Sequence, residues 1–75
     1  MTPEQIKAKL DFLASSVLAT KAELDLLIPY IASESDKKIA ESILIDLFWA
    51  AENLTVIGLR QIGKALDDNM GITNL

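Results

Sequence analysis

Apolar residues recur at helical spacing along two long segments of the chain, residues 3–32 and 35–68. In both segments the apolar positions are mostly separated by three or four residues, a pattern typical of helices that pack against another helix. The first seam comprises Ile6, Leu10, Leu13, Val17, Thr20, Leu24, Leu27 and Ile31. The second comprises Ala40, Leu44, Leu47, Ala51, Leu54, Gly58, Ile62 and Ala65. Because only a short polar run joins the segments, we predict an all-α fold, an antiparallel helical hairpin.

Residues that favour helix starts precede both segments. Thr2 can cap the first helix, and Pro3 falls at the first helical position, where its missing N–H costs least. Ser33 and Ser35 are both suitable caps for the second helix. These signals place one helix start near each end of the predicted hairpin.

Two positions could divide the predicted helices. Thr20 could cap a new helix, and Gly58 follows a β-branched run that could end one. The alternative fold therefore has three or four shorter helices, with breaks near Thr20 and Gly58. We prefer continuous helices because the heptad phase does not slip at Thr20. In addition, Ala51, Gly58 and Ala65 place small residues seven apart, which allows another helix to approach closely.

The helix ends carry less definite signals. Pro29 either bends the last turn of the first helix or ends that helix early, near Ile28. Gly71 is a reasonable residue to follow the end of the second helix. We therefore predict a single helical domain over residues 1–75, with a short irregular tail at 70–75.

Each helix carries a second apolar strip away from its seam, and the two strips hold three of the four aromatic residues. Aromatic side chains are enriched where proteins meet, so we interpret the strips as a partner or dimer interface. Its predicted members are Phe12, Leu26, Tyr30, Ile45, Trp49, Val56 and Leu59. If the partner is an identical chain, two hairpins would form a four-helix bundle.

Length and charge narrow the possible partners. A chain of 75 residues without cysteine cannot form stabilising disulfides. Oligomerisation is a common alternative route to stability at this length, and we favour a homodimer. The net charge of −4 argues against nucleic-acid binding. Asp46 and Glu52 interrupt the most apolar stretch, which argues against membrane insertion. With no secretory signal pattern at the N-terminus, we predict a cytoplasmic protein.

Residues that carry chemistry are scarce. The chain has no histidine and no cysteine, and Glu41, Asp46 and Glu52 are not spaced to meet on one helix face. We therefore predict no enzyme activity and no catalytic, cofactor-binding or metal site. The sequence favours a small non-enzymatic protein–protein interaction module of the regulator, adaptor or inhibitor type. Alternatives are a structural subunit of a larger hetero-complex and, less favoured, a membrane-surface-associated amphipathic protein.

Overall fold

The computed structural model describes the backbone of residues 1–73, and side-chain burial for residues 1–64 and Leu66. The chain forms helix α1 (Pro3–Leu27), one 3₁₀ turn (Ile28–Tyr30) and helix α2 (Glu34–Thr73). α1 packs along α2 in an antiparallel hairpin. The predicted all-α class and two-helix hairpin are confirmed.

Side-chain caps begin both helices. The backbone N–H of Gln5 donates to Thr2 Oγ1 (3.1 Å), and the backbone N–H of Thr2 donates to Gln5 Oε1 (2.9 Å), which completes a capping box. At α2, the N–H of Asp36 donates to Ser33 Oγ (3.3 Å). Of the two predicted caps for the second helix, Ser33 makes this bond.

Neither predicted break occurs. The Thr20 hydroxyl donates to the Ser16 carbonyl (3.0 Å) inside α1, so its side chain stays with its own helix and caps no new one. α2 continues through Gly58. The alternative fold of three or four shorter helices is therefore wrong.

The last residue of each helix differs from the predicted one. α1 ends at Leu27, and Pro29 lies in the 3₁₀ turn, so the early end near Ile28 replaces the predicted end at residue 32. α2 extends past residue 68 to Thr73, and residues 70–73 of the predicted irregular tail are helical. No proline interrupts this stretch, and one glycine lowers helix propensity by only about 1 kcal/mol. Residues 74–75 lie outside the described part.

The seam predicted for α2 faces α1 as expected. Ala40, Ala51 and Gly58 are buried, and Leu44, Leu47, Leu54 and Ile62 are half-buried. The side chain of Ala65 lies outside the described residues. Small residues at the centre of this seam allow the two helices to approach closely.

The seam predicted for α1 is only partly right. Five of its members are half-buried: Ile6, Leu10, Val17, Leu24 and Ile31. Leu13 and Leu27 are instead 48% and 58% exposed, and Thr20 is exposed as well. The residue after each of these three lies toward α2 instead: Ala14 is buried, and Lys21 and Ile28 are half-buried. Lys7, which follows Ile6, is half-buried in the same way.

The small residues of α2 explain this rotation of α1. A β-carbon added to Gly58 would lie 3.3 Å from Lys7 Cγ and 3.7 Å from Leu10 Cβ. At this separation the small side chain of Ala14 can be buried, and the flexible stem of Lys7 can lie across Gly58 with its charged end outward. The residues of α1 that face α2 are therefore determined by how closely the two helices approach, as well as by hydrophobicity.

The hairpin is long and thin. It measures 63 × 17 × 13 Å, and its radius of gyration is 17.9 Å. A compact domain of this length would have a radius of gyration of about 11 Å. The chain is thus a single layer of two helices, with both broad sides of that layer uncovered.

Candidate interaction surface

The hairpin buries small side chains and exposes large ones. Where burial is described, the buried residues are Ala14, Ala40, Ala51 and Gly58. Large exposed apolar side chains occur along both helices. Fully buried alanine and glycine contribute little hydrophobic stabilisation, because that contribution scales with the apolar area removed from water, and the larger seam residues are only half-buried.

The total exposed area confirms this imbalance. The chain exposes 5748 Å². A compact monomer of its 8.2 kDa mass would expose about 4,500 Å². The excess of roughly 1,200 Å² is larger than the roughly 800 Å² that each partner buries in a standard protein–protein interface.

One broad side of the hairpin is uncharged along its centre. Each of its residues comes directly before a residue that faces the other helix in the structure, so all of them lie on the same flank of their helix. In an antiparallel pair of helices, these two flanks lie on the same side of the hairpin. We call this side the Leu13–Ile57 face, and it comprises Ile6, Leu13, Thr20, Leu27, Ile43, Ala50 and Ile57. Of these, Leu13, Leu27, Ile43 and Ile57 are large apolar residues with exposed side chains.

The opposite broad side carries charge beside the seam. A groove of about 430 Å³ opens there, lined by Lys21, Glu41, Leu44, Ile45 and Phe48. Residues on the same flank of α1 are Asp11, Leu18 and Asp25. We call this side the Phe48 face. It combines apolar side chains with three carboxylates.

The outer edges of the two helices hold two of the four aromatic residues, Phe12 and Trp49. Phe12 and Leu26 lie on the edge of α1 opposite its seam and are 71% and 73% exposed. Trp49 and Val56 lie on the corresponding edge of α2 and are 58% and 39% exposed. Because each seam faces the other helix, these two edges point in opposite directions.

All seven residues predicted for the interface are therefore exposed, but they do not form one patch. Ile45 and Leu59 lie between the outer edge of α2 and the Phe48 face, each more than half exposed. Tyr30 belongs to the 3₁₀ turn at one end of the hairpin and is 85% exposed. A single flat partner cannot cover Phe12 and Trp49 together.

Sequence reasoning missed several members of the exposed surface. Leu13 and Leu27 were assigned to the seam, while Ile43, Ile57 and Phe48 were assigned to no surface. Phe48 packs edge-to-face against Trp49, with ring centroids 5.6 Å apart and an interplanar angle of 74°. The signal for the Leu13–Ile57 face was present in the seven-residue spacing of Ile43, Ala50 and Ile57.

The ion pairs in the described part of the chain are local. Lys7 pairs with Asp11 one turn away, and Lys37 pairs with Glu34 at 3.5 Å. Over the same residues, no three carboxylates converge to hold a metal ion. Each of these two ion pairs therefore lies within a single helix.

One stretch of α2, Glu34–Lys64, is long and apolar enough to cross a membrane by length and composition. Its most apolar window has a mean hydropathy of 1.4, and 11% of that window is buried in the hairpin. A helix that another protein covers passes the same test. The observation therefore marks α2 as unusually apolar for a surface helix.

Comparison with known proteins returned no matching family model, no similar curated protein and no similar solved structure.

Proposed function

We propose that this chain is a non-enzymatic protein–protein interaction module that homodimerises into a four-helix bundle and occupies the surface of a partner protein. The observation that carries the proposal is the excess of about 1,200 Å² of exposed surface over a compact monomer. Two helices that bury alanine and glycine between them need a further layer for stability. A second copy supplies that layer by covering one broad side of each hairpin.

The outer aromatic residues support a role beyond self-association. When a second hairpin covers a broad side, the edges bearing Phe12 and Trp49 still point away from the bundle. Exposed aromatic side chains of this size supply large burial per residue in protein interfaces. We assign Phe12, Leu26, Trp49 and Val56 to contact with a partner protein, and assign dimerisation to a broad side.

Light scattering coupled to size exclusion tests the dimer. We expect a highly helical species of twice the 8.2 kDa chain mass. Its midpoint of thermal unfolding should rise with protein concentration, because association stabilises only the folded state. A monomer that unfolds cooperatively at a midpoint independent of concentration would overturn the proposal.

A structural subunit of a hetero-complex is the competing function. Its second layer would come from unlike chains, so the isolated protein would be monomeric and loosely packed. Far-ultraviolet circular dichroism would then show helix while the near-ultraviolet signal of Trp49 is lost. Monomeric mass together with that pair of signals would replace the homodimer with the hetero-complex subunit.

The apolar stretch of α2 also motivates a membrane test. Interfacial helices usually carry a polar face rich in lysine and arginine, whereas Asp46 and Glu52 lie on the solvent-facing sides of α2. We expect no co-sedimentation with anionic vesicles at ~0.5 M salt, where electrostatic attraction is screened. Binding that survives this salt would favour membrane association over the protein partner.

A further inference from the structure

We infer that the second copy packs on the Leu13–Ile57 face, about a two-fold axis that passes Ser16 of α1 and Asn53 of α2. Each α1 then lies antiparallel to α1 of the second copy, and each α2 antiparallel to its α2. This inference rests on the homodimer proposed above and adds the face and the orientation.

The uncharged centre of the Leu13–Ile57 face favours it for self-pairing. Its central residues on α1 are apolar or, at Thr20, neutral. Self-pairing through the Phe48 face would instead bring Asp25 and Glu41 of two copies into one interface, together with the Lys7–Asp11 ion pair, and only Lys21 lies beside them as a further cation. Carboxylates removed from water without cationic partners are costly.

The rim of the Leu13–Ile57 face on α1 is self-complementary in charge. Lys9 and Glu23 are exposed at this rim, each seven residues from Ser16. When two α1 helices pair antiparallel about Ser16, Lys9 comes level with Glu23 of the second copy. The two-fold symmetry repeats this contact, so α1 contributes two intersubunit ion pairs.

The rim on α2 repeats the same arrangement independently. Asp46 and Arg60 are exposed there, each seven residues from Asn53. Antiparallel pairing of two α2 helices about Asn53 brings Asp46 level with Arg60 of the second copy. The ion pairs within the described hairpin use none of the four rim charges, which leaves them available to another chain.

The two centres of symmetry lie at nearly the same height along the hairpin. Gly58 faces Leu10, and six residues along each helix from that contact bring Glu52 level with Ser16. Glu52 is one residue from Asn53, which corresponds to about 1.5 Å of helix rise. One axis can therefore satisfy both helices, although the two charge patterns arise from separate parts of the sequence.

The other two-fold arrangement of these faces is electrostatically unfavourable. An axis parallel to the helices would place α1 beside α2 of the second copy at the same height. In the register set by Gly58 and Leu10, Lys9 would then face Arg60 and Glu23 would face Asp46. Four contacts between like charges oppose that dimer.

Side-chain size also fits the inferred axis. Antiparallel pairing sets Leu13 beside Thr20 of the second copy, and Ala50 beside Ile57. Near the axis large residues thus meet small ones, as close packing of a bundle core requires. Farther from the axis, the same register sets Ile6 beside Leu27 and Ile43 beside Lys64 of the second copy.

Charge variants test the face. The acidic variant combines Lys9→Glu and Arg60→Glu, and the basic variant combines Glu23→Lys and Asp46→Lys. We expect each alone to dimerise at least about tenfold more weakly than the wild type by sedimentation, because its rim carries one sign. An equimolar mixture should restore a helical dimer containing one copy of each, which shows that both variants can fold.

A control carries the same change in charge off the face. Ser15→Asp, Lys38→Glu and Ser42→Asp together lower the net charge from −4 to −8, as the acidic variant does. We expect this control to dimerise within about threefold of the wild type, because its charges lie away from the interface. If the wild type is a dimer and the acidic variant dimerises equally well, the inferred face is wrong and the homodimer stands. A monomeric wild type overturns both.

Cysteine crosslinking tests the orientation, since the natural chain has no cysteine. Ser16→Cys and Asn53→Cys should each form a dimer covalently with a short bis-maleimide, because each position meets its own copy near the axis. Ala19→Cys, on the outer edge of α1, should not. Crosslinks between the Ser16→Cys and Asn53→Cys proteins in a mixture, without self-crosslinks of either, would overturn the inferred orientation.

Discussion

The side chain of Lys7 lies across Gly58, and a β-carbon added at Gly58 would be 3.3 Å from Lys7 Cγ. This contact marks the closest described approach of a side chain to a glycine in the hairpin. It explains how a lysine can occupy a seam position, since its stem needs the space that a side chain on α2 would fill. The ion pair with Asp11 then holds the charged end at the surface.

Gly58→Leu should destabilise the protein. The new side chain would enter the space occupied by Lys7 and Leu10 and force the helices apart, at a cost of about 1–3 kcal/mol. Urea unfolding at fixed protein concentration measures the loss. Stability equal to that of the wild type would mean that α1 and α2 do not pack closely at this point.

Alanine at each of the two glycines gives a second, matched comparison. Nothing lies within 4 Å of a β-carbon built at Gly63. Alanine should therefore stabilise α2 by about 1 kcal/mol through helix propensity alone. Gly58→Ala should gain less than Gly63→Ala, because the Lys7 stem must shift to admit the methyl group.

Lys21→Met should raise the free energy of unfolding by about 1 kcal/mol, because methionine can bury its whole side chain where lysine must keep its charged end in water. Lys21 lies half-buried on the seam of α1 and lines the groove with Leu44 and Phe48. The exposed Lys38 supplies the control, since Lys38→Met should change stability by less than about 0.5 kcal/mol. Equal effects of the two substitutions in urea unfolding would contradict the observed seam.

Thr2→Ala should remove the cap of α1. The substitution deletes the acceptor of the Gln5 N–H and should cost about 1 kcal/mol. Ser42→Ala is the control for losing a hydroxyl that caps no helix. The Ser42 hydroxyl donates to the Lys38 carbonyl inside α2. Alanine there should be neutral or slightly stabilising. Thermal melts of both variants at one concentration make the comparison.

Glutamate at Leu13 and at Trp49 should have different effects. Leu13→Glu places a charge at the centre of the inferred dimer face, so we expect a large loss of dimer in sedimentation experiments. Trp49→Glu lies on the outer edge of α2, so the dimer and its helicity should persist while contact with a partner protein weakens. If Trp49→Glu abolished the dimer and Leu13→Glu kept it, the outer edge of α2 would be the dimer interface and the Leu13–Ile57 face would be free for a partner protein.

The α2 seam could be predicted because its register is unambiguous. Ala51 and Gly58 are seven apart and lie between larger apolar residues, so only one helix face combines small size with apolar character. The α1 seam was ambiguous because Leu13 and the adjacent Ala14 are both apolar. Hydrophobicity favours Leu13, and the structure shows that close approach favours Ala14.

Local information in the sequence was sufficient for the helical class, the start of α1 and the seam of α2, and it narrowed the cap of α2 to Ser33 or Ser35. Helix periodicity and capping act within a few residues, so they can be read from neighbouring positions. The rotation of α1 and the separation of Phe12 from Trp49 were decided only when the helices packed. They depend on how closely two backbones approach, and that distance is set by pairs such as Lys7 and Gly58, which are remote in sequence.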